Sequence, residues 1–395
     1  MGTRLFRLVS ILAAIVLLAL TSAPALADKI TTIGGITHEG VIVRENNSYI
    51  VIKVNSDGEE VTKVFFLTEI KSIERGPAEP IADALRAKAI PPEATRIAFI
   101  TLGDQRDRKD IIGPFVNDDA LRESIQLLDA LPDVEKPEIV VLWIDSGGGL
   151  LVETEKLINT IHADMKPKYR TVVWVRSAIS AACMVSMVSE EIYMMTNAPI
   201  GAMTLIQQVD RVSRLGKHNP LIARAMSRCA PDFDRNDLTA DIDEHGNVTL
   251  FDGPQGEHMV CKKTDILVFT AIDAVKFGLA RGIADTKNEL ATLLGCKEWI
   301  EVGHGANDFQ ARFREQVKLA EQQVGELQQK LNIALQFAHA AENDPERNAQ
   351  LARALNFLRD MRAIVRRAPS LEFYEGYTKQ AFDDREEQIK DMRAR

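Results

Sequence analysis

Apolar and polar residues alternate with period two from Asp28 to about Pro80. The runs are Gly40-Val-Ile-Val, then Ser48-Tyr-Ile-Val-Ile-Lys-Val, then Val61 to Leu67, with a polar turn at Asn55-Ser-Asp-Gly58. Alternation of this kind, broken by Asn/Asp/Gly turns, predicts short antiparallel strands and a small barrel or meander over 28–80. Proline and alanine then mark a linker at 77–92. Beyond it the pattern changes to continuous apolar runs separated by amphipathic stretches. Arg96 to Leu102, Ile139 to Ile144 and Thr171 to Val175 read as buried strands, and Asp118 to Leu131 and Leu150 to Met165 as the helices between them. That alternation predicts an α/β domain over 93–297 with parallel strands, whose ligands would bind at the carboxyl ends of those strands.

Further along, Pro220 to Arg228 reads as a helix and Asp243 to Gly253 as two short strands around a His-Gly-Asn turn. Thr270 to Leu279 reads as a helix with Thr270 as its N-cap and Gly278 at its end. From 306 to 395 the chain is rich in Ala, Gln, Glu, Arg and Leu. Phe313, Val317, Ala320, Val324, Leu327 and Leu331 recur at intervals of three and four, which predicts a helical hairpin or coiled coil broken at Asn343-Asp-Pro345. The same apolar stripe is a candidate contact between copies of the chain.

The first 27 residues stand apart. Arg4 and Arg7 precede an apolar run from Leu8 to Leu20, and Ala25-Leu26-Ala27 has the small-x-small form of a cleavage site. Residues 1–27 are therefore expected to be a secretory signal, which places the mature chain in the periplasm; membrane association would follow only if the signal stayed uncleaved. With 48 Lys+Arg against 57 Asp+Glu the formal net charge is −9. That balance argues against nucleic-acid binding, which needs excess cations to displace counterions. Cys183, Cys229, Cys261 and Cys296 form no CxxC pair and lie near no His at ligand spacing, so no metal is expected and no disulfide can be assigned.

Two strand ends carry candidate chemistry. Ile144-Asp145-Ser146-Gly147-Gly148-Gly149 follows a buried strand, and its glycines let backbone N–H groups approach a ligand or a developing oxyanion. It lacks the GxxxxGK[ST] and GxGxxG phosphate patterns. Ser177-Ala-Ile-Ser180-Ala-Ala182 follows the next strand, where small neighbours and a helix N-terminus leave a serine room to face a cleft. Taken singly, these serines also read as ordinary N-caps.

In this order and about thirty residues apart, the two turns resemble the Clp protease/crotonase superfamily. The likeness is closest to its exported members, signal peptide peptidase A and the NfeD-type serine proteases. Ile144 to Gly149 resembles [LI]-[DN]-[ST]-P-G-G with Gly147 in place of the proline. Ser177 to Ala182 resembles S-A-A-S-[AG]-G, and Phe269 to Asp285 resembles the family's closing helix and strand. The resemblance implies a Clp/crotonase-like ββα superhelix with Ser180 as nucleophile and the Gly148 and Ala181 amides as oxyanion hole. It implies an ATP-independent serine peptidase without cofactor, acting on peptide or membrane-protein substrates as a homo-oligomer, trimer or higher. The histidine of the cytosolic Clp proteases has no counterpart in Met203-Thr-Leu-Ile-Gln. The exported families use a lysine, for which Lys217 is the candidate, with His218 as the alternative base and Lys262 and Lys263 further off; Ser177 is a less apt nucleophile. A lysine serves as base only when burial lowers its pKa. The competing reading is a catalytically inactive member that keeps the fold as an oligomeric binding scaffold.

Overall fold

The computed structural model describes residues 27–56, 59–76, 91, 93–104, 111–203, 206–227 and 236–394. Residues 1–26 of the expected signal sequence, most of the linker at 77–92, the second half of the 55–58 turn and Cys229 lie outside them. The chain divides into two compact units, 1–89 and 90–395.

In the first unit β1 (Asp28–Thr32), β2 (Thr37–Glu45), β3 (Tyr49–Ser56), β4 (Glu59–Phe66) and β5 (Ile70–Glu74) form one antiparallel sheet in the order β4-β3-β2-β1-β5. Alternate residues point to one face, which collects Ile30, Ile50, Ile52, Val54 and Phe65 into a core. Asp28 closes the sheet from its start, accepting the Ile42 and Gly76 amides on its two carboxylate oxygens.

The second unit is a mixed α/β body around an eight-stranded sheet. Its main path runs β14 (Val268–Phe269), β10 (Ile200–Gly201), β8, β7, β6 and β16, with β9 (Ile192–Met194) beside β8 and β15 (Gly282–Ile283) beside β9. β6 (Thr95–Leu102), β7 (Ile139–Ser146) and β8 (Arg170–Ile179) pair in parallel at its centre, as the continuous apolar runs predict. The crossovers carry α1 (Asp118–Asp129) and α2 (Leu151–Thr160), and α3 (Ala181–Ser186) follows β8; α5 (Pro220–Ala225) and α6 (Ala271–Lys276) come later in the chain. A π-turn at Ile161–Met165 extends α2, so the predicted helix to Met165 is present with a change of pitch at its end.

The opposite sheet face packs Phe99, Val141, Trp174 and Tyr193 against Leu290 and Ala291 of α7 (Lys287–Leu293). All three tryptophans of the chain gather there. Trp143 stacks on Trp174 at 5.0 Å, while Phe99 meets Trp174 and Trp299 edge-on. β16 (Trp299–Glu301) adds in parallel to β6, so the sheet continues past residue 297. A separate three-stranded sheet, β12-β11-β13, spans β11 (Leu238–Ile242), β12 (Val248–Asp252) and β13 (His258–Cys261). Its first turn is wider than the sequence implies, because the Asp243 carboxylate caps the amides of His245 and Asn247 and ends β11 before the expected strand.

The C-terminal region is a helical arm. α8 (His304–Ala340) has 37 residues, about 55 Å at 1.5 Å per residue. α9 (Asp344–Arg367) folds back on it, starting from Asn343, whose side chain accepts the Glu346 amide, with Pro345 in the first turn. α10 (Lys379–Ala394) packs against α9. Val317, Ala320, Val324 and Leu331 are buried against Leu351, Ala354, Leu358, Phe382 and Ile389. The 313–331 stripe is thus used inside one chain, which corrects the expectation that it contacts another copy: two further helices from the same arm reach it first.

Replacing Leu331 with Ala should cost about 2–5 kcal/mol of arm stability, the usual range for a fully buried leucine. The measurement is far-UV circular dichroism against denaturant, expected to show earlier helix loss. Tryptophan emission, which reports only the central sheet, should move less; equal shifts in both signals would show that arm and sheet melt as one.

Candidate active site

Ser180 stands where β8 ends and α3 begins. β8 runs to Ile179, four residues beyond the expected end at Val175, so Ser180 is the first residue off the sheet. Its backbone lies at φ 58, ψ −122, a region that costs a non-glycine residue about 1–3 kcal/mol unless its surroundings hold it. They hold it from both sides. The Ser180 N–H donates to Gly201 O (2.9 Å), and the Ser180 carbonyl accepts from Cys183 and Met184 at the start of α3. Every residue of α3 is buried, so the helix cannot shift to relax the turn.

The glycine turn meets this serine directly. A Cβ on Gly148, whose φ is +104, would sit 2.7 Å from Ser180 Cβ and 2.8 Å from Ile179 O. Gly149, at φ +153, is equally constrained, since a Cβ would fall 2.2 Å from Ile112 O. The turn is also pinned from outside: Ile112 N–H donates to Gly148 O and Leu150 N–H to Ile112 O. A β-bulge between Ile144 and Asp145 makes Arg176 the extra residue of β8 and sets Asp145 opposite Ser177. Ser177 is buried inside this pairing and does not lead the α3 turn as Ser180 does.

The two expected oxyanion donors differ. Ala181 is the first residue of α3, and its N–H has no acceptor within the helix. The Gly148 N–H is engaged by its own turn, donating to Ser146 Oγ at 3.2 Å. Gly148 and Ala181 are therefore adjacent, as the resemblance implies, but Gly148 offers its amide to an incoming oxygen only after giving up Ser146.

The expected base is not at this edge of the sheet. Lys217 Nζ pairs with Glu190 Oε2 at 2.9 Å, and its side chain is 74% exposed. His218 Nε2 donates to Ser189 O at 2.7 Å, and Ser189 Oγ donates to Thr171 O at 2.7 Å. Thr171 is the second residue of β8, whose far end leads into Ser180, so this cluster is tied to the opposite end of that strand. Lys217 and His218 thus make their contacts at the amino-terminal edge of the strands, with Glu190 and Ser189. The 37 positions from Ser180 to Lys217 include α4 (Ile206–Leu215), whose C-terminal end leads to Lys217. Lys166 closes that end, donating from Nζ to Val188 O and Leu215 O. Lys262 and Lys263 are exposed beyond β13.

The part of α4 nearest Ser180 is its first turn, since β10 (Ile200–Gly201) pairs with the end of β8 and leads into it. That turn reads Ile206-Gln-Gln-Val209, with no lysine or histidine. Gln208 presents a buried side-chain oxygen without a hydrogen-bond partner among the described residues. It carries no motif, and only the fold singles it out. Among the described residues no group of three or more His, Cys, Asp or Glu could hold a metal ion, and Cys183 and Cys296 are free thiols.

Two sets of variants separate these roles. Gly148→Ala should lower Tm by roughly 5–10 °C, because it adds a strained φ and a clash with Ser180. Lys217→Ala should stay within about 1 kcal/mol of wild type, as expected for an exposed ion pair. Burial holds the His218 pKa below its usual 6.5; Lys166 and Arg281 push it the same way, against Glu190 and the Ser189 carbonyl. The folded state therefore prefers the neutral ring: its contribution is complete above pH 6.5 and is lost as pH falls towards the lowered folded value. Tm of wild type should fall between pH 6.5 and 5 more steeply than that of His218→Gln, and parallel curves would remove His218 from the acid response.

No protein-family model matches the chain, and no curated protein matches it. Several solved structures overlay on about half of it. The 1510-N membrane-bound stomatin-specific protease aligns at 15% identity and TM-score 0.35, over 52% of this chain and 86% of its own. The ClpP protease catalytic domain from Plasmodium falciparum aligns at 11% identity and TM-score 0.28, over 49% and 86%. An enoyl-CoA hydratase/carnithine racemase from Magnetospirillum magneticum aligns at 11% identity and TM-score 0.30, over 50% and 68%. These solved structures are Clp protease and crotonase-fold proteins.

Proposed function

We propose that the chain is exported to the periplasm and that its α/β domain is a Clp/crotonase-like unit that binds peptide segments at the Ser180 edge without cleaving them through a Ser180–Lys217 dyad. The observation that carries this reading is the hydrogen bond from Ser189 to Thr171, which anchors Lys217 and His218 at the far end of β8. A Ser–Lys dyad requires the two side chains within hydrogen-bond reach, and Lys217 is engaged by Glu190. The inward hydrogen bond of the Gly148 amide acts in the same direction, since it leaves Ala181, whose N–H has no acceptor within α3, as the other donor. What remains is an edge suited to holding a carbonyl: a helix N-terminus at Ala181 and a glycine turn that admits close backbone approach. No cofactor is called for by this reading.

A second reading, an ATP-independent serine peptidase, is favoured by one specific observation. Ser180 keeps the positive φ that sets it off from the sheet, a strain that persists at reactive turns. Its base would be a group other than Lys217 or His218.

A fluorophosphonate probe distinguishes the two. Wild-type protein should label no faster than Ser180→Ala, and Lys217→Ala should match both. Rapid labelling of wild type that Ser180→Ala abolishes would instead establish a working nucleophile and the peptidase reading.

A further inference from the structure

The arm leaves a second stripe on α8 that its own helices do not cover. Leu319, Ile333 and Phe337 are 46%, 50% and 60% exposed. With Gln323, Glu326 and Lys330, all exposed, they form the series 319, 323, 326, 330, 333, 337, whose intervals alternate four and three. At 100° per residue these six positions fall within one narrow face, and that spacing is the seam of a two-helix coiled coil. The flank at Gln322, Gln329 and Gln336 is exposed and uncharged, in a chain whose net charge is −9.

The order of residue types along the seam selects its partner. A two-fold interface requires that if position i meets j, then j meets i. An antiparallel pairing centred on Gln328 satisfies this at every seam position. Leu319 meets the partner's Phe337, Gln323 the partner's Ile333, and Glu326 the partner's Lys330, each pair occurring twice. The ends of the seam, about 27 Å apart along the helix, are apolar on both sides, and the centre holds two opposite-charge pairs. A parallel pairing in register sets Glu326 against Glu326 and Lys330 against Lys330, which repel.

We infer that the exposed face of α8 is the docking surface for a second copy of this chain, as an antiparallel two-fold pair centred on Gln328. The inference is independent of whether Ser180 is reactive.

Charge exchange tests it without touching the arm's core. The full mature chain, measured by sedimentation equilibrium, should be a dimer. Glu326→Lys gives a seam with four lysines and Lys330→Glu one with four glutamates, so each alone should be a monomer with unchanged helical circular dichroism. Mixing the two single variants should produce the heterodimer, and the double exchange in one chain should restore the homodimer. Phe337→Asp should dissociate the wild-type pair. A wild-type monomer overturns the inference, and so does an oligomer whose size ignores both single exchanges.

Discussion

The close approach of the Gly148 turn to Ser180 is the constraint around which the α/β unit is arranged. A side chain at 148 would come within 2.7 Å of the serine's own Cβ, so the two strand ends meet only because residue 148 has none. Everything beside them serves that contact. Ile112 clamps the glycine turn from outside, Gly201 holds the Ser180 amide, and buried α3 fixes the carbonyl side. Positive φ at both residues is the conformational cost of bringing them together, and it is tolerated because hydrogen bonds on three sides leave the chain no alternative path.

The opposite edge of the same sheet has a different kind of order. There Lys166 gathers the Val188 and Leu215 carbonyls, completing two chain ends that helical bonding leaves open. His218 packs beneath, and Glu190 links Lys166 with Lys217. The cations at this edge act on stability. Their lysine and histidine types match those of a catalytic base, but a base needs to be desolvated, while Lys217 is solvated and paired with Glu190. The arm shows a comparable division of labour: one stripe of α8 is consumed by α9 and α10, and another remains outward with charges that are balanced only across a two-fold axis.

Strand and helix order from Arg96 to Met165, the five-stranded sheet and the arm's break at Asn343 were legible in the chain, because each depends on local spacing: period two, continuous apolar runs, or a cap followed by proline. The Ser180 turn and its glycine partner were legible for the same reason, since glycine at a strand end and small residues around a serine are local signatures. β10, β14 and β16 were not, because two- and three-residue strands carry no period and exist only through the neighbour they pair with.

Local residue patterns specify which residues can form a tight serine turn and which helices carry an apolar face. The packed fold sets where Lys217 and His218 make their contacts and which stripe of α8 stays exposed. The reason is geometric. A count of residues between Ser180 and Lys217 contains no direction, and the chain between them leaves the carboxyl edge along α3, returns to it through β9 and β10, and leaves again along α4. The same 37 positions could have ended beside the serine, but the Ser189–Thr171 and Lys217–Glu190 contacts end them at the other side of the sheet.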